Sequence, residues 1–257
     1  MKHVATALLC LASLLPAQEQ PKPAPLPTQV DLRESIDRSG FGPRSQGRRP
    51  TCSVFTVISV LEITLAKATG TAPRLSPEYA NRAKNLVIGR DTDGGFFHDI
   101  LAGLAAHGAV RESSFPYARS FDPKAAPAVT EEDLAKEASA LRETIAQRLR
   151  VVWVKPWSNS VKGLDAAQFD TVRRTLAAGI PVATGMAHSR TLVGYRDDDK
   201  VPGGGIFLTL DSGVGRYAEV SYEFVRSELF DVFFFEILPE PVKGKEKGES
   251  ATPRARG

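Results

Sequence analysis

An α+β fold, with helices first and antiparallel strands after, follows from three features of the sequence. An apolar run from Cys52 to Thr69 has the length of a helix and covers most of its circumference, two further helical patterns lie before residue 110, and five β-rich segments follow residue 180. A helix apolar all round is a buried one, so the first half is a helical lobe built on it. The second half is a barrel-like antiparallel sheet lobe, and a cleft between the two is the place for a site.

The chain opens with Lys2 and His3, an apolar stretch from Val4 to Leu15, then Pro16 and Ala17. This is the three-part form of a secretory signal peptide, too short to span a bilayer, so residues 1–17 predict a secreted or periplasmic protein without a membrane anchor. Residues 18–29 read as a proline-rich linker, and residues 241–257, with their Lys, Arg, Glu, Gly and Pro, as a disordered basic tail. The domain between, about residues 30–240, divides into a helical lobe at about 30–150 and a sheet lobe at about 151–240. Net charge is only +3 and the basic residues are dispersed, which leaves no footprint for nucleic acid. No metal-binding or cofactor motif is present.

Cys52 stands at the junction between a turn-rich segment containing Gly47 and Pro50 and the apolar run, which Gly70 is placed to end. Unpaired N–H groups and the macrodipole at a helix start favour negative charge, and so favour the thiolate that attacks carbonyl carbon. The plainer reading is a small buried hydrophobe, the commoner fate of a lone Cys. Removal of the signal peptide takes away Cys10, however, leaving Cys52 as the only cysteine, with no internal disulfide possible. An unpaired thiol in an exported protein calls for a reason.

Ser76 and Pro77 mark the start of a helix through Leu86, and Gly94 and Gly95 precede another from Phe96 to His107, stopped by Gly108. A charged amphipathic helix from Glu131 to Arg150 leads into a strand from Val151 to Lys155, and Phe169 to Ala178 is a short helix. The expected strands are Pro181 to Ala187, Arg190 to Tyr195, Ile206 to Leu210, Ala218 to Val225 and Asp231 to Ile237. His188 falls between two of them, where a neutral imidazole would take the proton of Cys52, and Asp211 at a strand end would hold the other ring nitrogen. An isolated His is more often structural, and spacing alone does not decide.

The run Gln46-Gly47-Arg48-Arg49-Pro50-Thr51-Cys52-Ser53-Val54-Phe55 resembles the Gln-Gly-x-Cys-Gly-Ser-Cys-Trp-Ala-Phe signature of the papain-like cysteine peptidases. Val30-Asp31-Leu32-Arg33, Leu75-Ser76-Pro77-Glu78, Phe115-Pro116-Tyr117 and the segment from His188 to Gly194-Tyr195 are similar to further family motifs, in the family's order. The resemblance implies a papain-like two-lobed fold and a peptide or protein substrate. It makes Cys52 the nucleophile, His188 the base and then acid, and Gln46 a donor to the oxyanion. It also makes Gly94 and Gly95 a bare backbone wall along which substrate lies.

Several positions depart from the family pattern. Arg49 and Thr92 occupy disulfide positions, so the helical lobe is expected to be held by packing alone. Ser53 replaces a tryptophan, and Asp211-Ser212-Gly213 stands for Asn-Ser-Trp, making the His partner an acid without its indole shield. The segment between Ala17 and the domain leaves no room for an inhibitory pro-domain. Three readings follow: a secreted thiol peptidase, a degenerate papain-fold binding protein, and a transglutaminase-like acyl transferase, for which the spacing of Gln46 and His188 fits less well.

Overall fold

The computed structural model describes residues 24–157 and 161–240; the expected signal peptide, the first part of the linker and the basic tail lie outside the described residues. The central helix is α2 (Cys52–Thr69), whose Val54, Val57, Ile58, Val60, Leu61 and Leu65 are all buried, and which ends at Gly70 in a left-handed conformation with φ 81°. A residue with Cβ is strained there, so glycine terminates the helix cleanly. On one side α2 packs against α3 (Pro77–Ile88) and α4 (Phe97–His107). On the other it lies on the sheet strands β3 (Val182–Gly185), β4 (Arg190–Asp197) and β7 (Asp231–Ile237).

Ser76 starts its helix as expected, whereas the helix expected from Phe169 begins three residues earlier, at Ala166. Ser76 caps α3, its hydroxyl accepting from the Tyr79 N–H at 3.0 Å, and Thr130 caps α5 (Glu131–Arg148) through the Asp133 N–H. Asp165 and Gln168 form a reciprocal capping box at the start of α6 (Ala166–Ala177). The α5 helix ends two residues earlier than expected because β2 (Leu149–Lys155) begins there and pairs with β7.

All sheet pairings are antiparallel. The strand order is β2, β7, β3, β4, β5 (Gly205–Asp211), β6 (Arg216–Ser221), with β1 (Gln29–Asp31) added on β4. Alternation along the strands sorts side chains to two cores. Ala183, Phe233 and Phe235 face α2, whereas Val182, Leu192 and Val232 face α6 with Phe169, Val172 and Leu176. This two-sided burial explains why these strands read as nearly continuous apolar runs.

Two differences from the sequence expectation have clear causes. The segment expected as one strand from Ala218 to Val225 divides into β6 and a short helix, α7 (Tyr222–Glu228), because the Ser221 hydroxyl caps the Phe224 N–H and buries Tyr222 and Val225 three apart on one face. The strand β1 and the helix α1 (Arg33–Arg38) were too short to carry a periodic signal. Gly194 makes room for β1: a Cβ there would stand 2.3 Å from the Val30 carbonyl oxygen.

The helical side is held by more than packing, which corrects the expectation drawn from Arg49 and Thr92. Buried Arg49 donates from Nε and Nη2 to both Asp93 oxygens at 2.9 and 2.8 Å, and from Nη2 to Glu78 Oε1 at 3.0 Å, with Nη1 also meeting Glu78 and the Ala118 carbonyl. The planar fork thus ties the loop before α2 to α3 and to the loop before α4. A second buried cluster joins Glu62 on α2 to Arg44 at 3.1 Å and Arg74 at 3.2 Å.

Candidate active site

Cys52 is the first residue of α2. No side chain caps the N-terminus of that helix and its first turn contains no acidic residue, so the thiol meets free N–H groups and the positive end of the dipole. The sequence creates this start because Pro50 and Thr51 break the preceding chain, while Val54 and Phe55 begin the buried face. Cys52 is half-buried. Burial pushes its pKa up, but hydrogen bonds from His188 and from the Ser189 backbone, with the charge of His188, outweigh that and hold the thiol below its ordinary value.

His188 lies on the turn from β3 to β4. Its Nε2 is 2.6 Å from Asp211 Oδ1, which leaves Nδ1 as the ring nitrogen that meets the thiol. The hydrogen bond to Cys52 raises the imidazole pKa most, burial opposes it, and the bond to Asp211 adds to the rise. A raised imidazole beside a lowered thiol is the condition for a thiolate–imidazolium pair.

Asp211 closes β5 and is buried. Burial would raise its pKa, but His188 and Arg190 together hold it below the usual carboxylate value. Arg190 is a partner that the sequence reading missed: its Nε donates to Asp211 Oδ2 at 2.8 Å and its Nη1 to the His188 carbonyl at 3.2 Å. Its place is set by the β4–β5 register, which pairs Thr191 with Leu210 and so brings Arg190 beside Asp211, a pairing that the sequence does not display. The guanidinium partly neutralises the carboxylate, so the Asp211–Arg190 pair offers His188 an acceptor closer in charge to a neutral amide. The Gly213 N–H donates to Asp211 Oδ1 at 2.9 Å, and Gly213 packs so tightly on the ring that a Cβ would stand 2.9 Å from His188 Nε2. Backbone thus covers the hydrogen bond where an indole was absent from the sequence.

Gln46 is fixed on every side. Its backbone N–H donates to the Ser212 carbonyl at 2.9 Å, its Oε1 accepts from the Ser212 hydroxyl at 2.7 Å, and its Nε2 donates one hydrogen to the Arg49 carbonyl at 2.8 Å. The amide orientation is therefore set, with one N–H left to give. Tyr117 steadies the same loop by donating to the Gln46 carbonyl at 3.0 Å, while its oxygen lies 2.6 Å from Thr51 Oγ1.

Gly94 and Gly95 prove to have separate positions. The Gly94 N–H donates to Asn81 Oδ1 at 3.0 Å, and its carbonyl accepts from buried Lys84, so its backbone is spent inside the helical side. Its φ of 74° and the Pro50 carbonyl, 2.0 Å from where a Cβ would sit, both require glycine. Gly95 instead borders the cleft with Cys52, its N–H donating weakly to Ser53 Oγ at 3.3 Å. That cleft, about 480 Å³, runs from Cys52, Ser53 and Phe96 on the helical side to Gly185, Met186 and Asp231 on the sheet side.

This arrangement of helix, cleft and sheet is the papain-like fold. No family model matches the chain, and no curated protein matches it in sequence. Solved structures of papain-like cysteine proteases do superimpose on it. The chain is similar to procathepsin L 3 of Tenebrio molitor larval midgut, with TM-score 0.56, 15% identity, and coverage of 82% of this chain and 70% of that one. It is similar to the proform of Amb a 11, a cysteine protease and ragweed pollen allergen, with TM-score 0.56 and 20% identity, covering 82% of this chain and 66% of that one. Xylellain, a cysteine protease from Xylella fastidiosa, matches with TM-score 0.55 and 16% identity over 84% of this chain and 88% of its own.

Proposed function

We propose that the chain is a cysteine peptidase that hydrolyses peptide bonds through an acyl-thioester on Cys52. The observation that carries this reading is the chain of contacts from the thiol at the α2 start to His188 and on to Asp211 at 2.6 Å. The thiolate attacks the peptide carbonyl carbon, and the oxyanion that forms accepts from the Cys52 N–H and the free N–H of Gln46. The His188 imidazolium then gives its proton to the leaving amine, and as a neutral base it takes one from the water that opens the thioester. The peptidase domain occupies about residues 30–240, and the form of residues 1–17 supports export.

Labelling the mature chain with an epoxide-type cysteine-protease inhibitor tests this directly. A single adduct on Cys52, together with loss of peptide hydrolysis, is the expected result. A chain that takes no label, or is labelled without ever cleaving a peptide, would instead be a binding protein on this fold.

Gln46→Ala should reduce turnover by roughly 10²-fold while leaving Cys52 alkylation near wild type, as for other side-chain donors to an oxyanion. Equal turnover on a good substrate would remove Gln46 from the mechanism.

The partners of His188 set the alkaline limit of activity. Because the Asp211 charge raises the imidazole pKa, Asp211→Asn should lower it, so imidazolium is lost at lower pH and the alkaline limb of the rate profile moves down. Arg190→Gln leaves the carboxylate charge undivided and should move the same limb up. A profile insensitive to both would make the Asp211–Arg190 pair purely architectural.

A further inference from the structure

Lys84 lies on α3 and is completely buried, although the proposed mechanism makes no use of it. Its ammonium has three hydrogens, and each goes to the loop that follows the helix: to the Thr92 carbonyl at 3.0 Å, to Thr92 Oγ1 at 2.9 Å and to the Gly94 carbonyl. Two neighbours on the same face of α3 grip the same residues. Asn81 donates from Nδ2 to the Thr92 carbonyl at 3.2 Å and accepts from the Gly94 N–H at 3.0 Å, and Asn85 accepts from the Thr92 N–H at 3.3 Å. The loop is folded around a buried cation.

This clamp reaches the cleft one residue further along the chain. The Lys84 stem runs beneath Gly95, where a Cβ would stand 3.1 Å from Lys84 Cδ, and the Gly95 N–H turns to Ser53 Oγ, next to Cys52. Gly95 and Ser53 both line the cleft. The other side of Lys84 is equally fixed, because α4 packs on the α3 backbone so closely that a Cβ at Gly103 would stand 2.5 Å from the Lys84 backbone nitrogen. Neither the cation nor the loop can shift alone without leaving buried polar groups unpaired.

We propose that Lys84 is a positioning residue for substrate binding: it fixes the loop from Thr92 to Gly95, and so the backbone face at Gly95 along which a bound peptide lies beside Cys52. The inference rests on the peptidase reading and adds what holds that face in place. None of the Lys84 hydrogen bonds reaches Cys52 or His188, so its loss should weaken peptide binding and leave thiol ionisation alone. Burial lowers the ammonium to about 8, against the pull of Asp93 in the loop and Asp99 on α4, while Arg90 just beyond α3 adds to the lowering. Above that pH the neutral amine offers two hydrogens and a lone pair to three oxygens, so one contact of the clamp is lost.

Two alkylating agents with the same reactive group test this: chloroacetone, and a blocked dipeptidyl chloromethyl ketone, taken as the fastest of a small set with neutral side chains. Both report the ionisation of Cys52, so the ratio of their rates isolates the dipeptide arm. In the wild type at pH 7 the arm should accelerate alkylation. Lys84→Met fills the same space without donating, and should cut the ratio at least about tenfold, the scale of a misplaced binding group, with the chloroacetone rate little changed. As the pH rises from 7 to 10 the wild-type ratio should fall, whereas in Lys84→Met it should be low and flat.

A ratio unmoved by Lys84→Met, even in a variant of lower Tm, would make Lys84 purely structural and overturn the proposal, as would a wild type in which the arm brings no acceleration. Should Lys84→Met fail to fold, the wild-type ratio between pH 7 and 10 decides alone, a flat profile counting against the clamp. Peptide hydrolysis is scored separately. Alkylation favoured by the arm in a chain that cleaves no peptide removes the peptidase reading and leaves the role of Lys84 standing.

Discussion

On the proposed mechanism His188→Ala should cost roughly 10³- to 10⁴-fold in peptide turnover, since it would remove both the group that ionises the nucleophile and the acid that releases the amine. The same variant should change how Cys52 reacts with a small alkylating agent. In the wild type, alkylation should proceed well below the pH at which a free thiol, with pKa about 8.5, ionises, because His188 holds the Cys52 pKa down. Without the imidazole, burial is left opposed only by backbone hydrogen bonds and the helix start, so the alkylation profile should move to higher pH. Stopped-flow alkylation across pH 4–10 reads both limbs. An ordinary thiol profile in the wild type, unaltered by the substitution, would dissolve the pair and the mechanism with it.

Arg49→Ala should destabilise the fold by about 3–5 kcal/mol, because it leaves the buried Glu78 and the Asp93 carboxylate without their shared cation. For a domain of this size that is a fall in Tm of roughly 10 °C, readable by thermal unfolding. Arg49→Lys keeps a charge but loses the fork that holds Glu78 and Asp93 at once, and should recover only part of the loss. The cluster also fixes the carbonyl to which Gln46 donates, so turnover should decline before global stability is exhausted. A Tm within 2 °C of wild type for both variants would mean that packing carries this region after all.

The class of fold was legible because the large elements have strong periods. Cys52 to Thr69 is apolar all round and flanked by a helix start and Gly70, and β3, β4, β5 and β7 are apolar because both faces are covered. Short elements such as β1, α1 and α7 were not legible, since three to seven residues hold no period and their positions depend on tertiary partners. At the site, the meeting of Cys52, His188, Asp211 and Gln46 was suggested by motif order, which fixes sequence but not contact. The hidden parts are the charged ones. Arg190 looks like an ordinary strand-end residue, and only the register that sets it beside Asp211 gives it a role. Arg49 looked like a lost cross-link, because a sequence shows the missing sulfur and not the carboxylates that replace it.

That replacement changes what the surroundings can do to the molecule. A nucleophilic thiolate stays useful only where reductant reverses its oxidation to sulfenic acid or mixed disulfide, and a scaffold pinned by disulfides sets a limit on how reducing those surroundings become. Here the pins near Cys52 are guanidinium–carboxylate contacts, which have no reduction potential. Reductant therefore acts on the one thiol among the described residues and leaves its supports untouched.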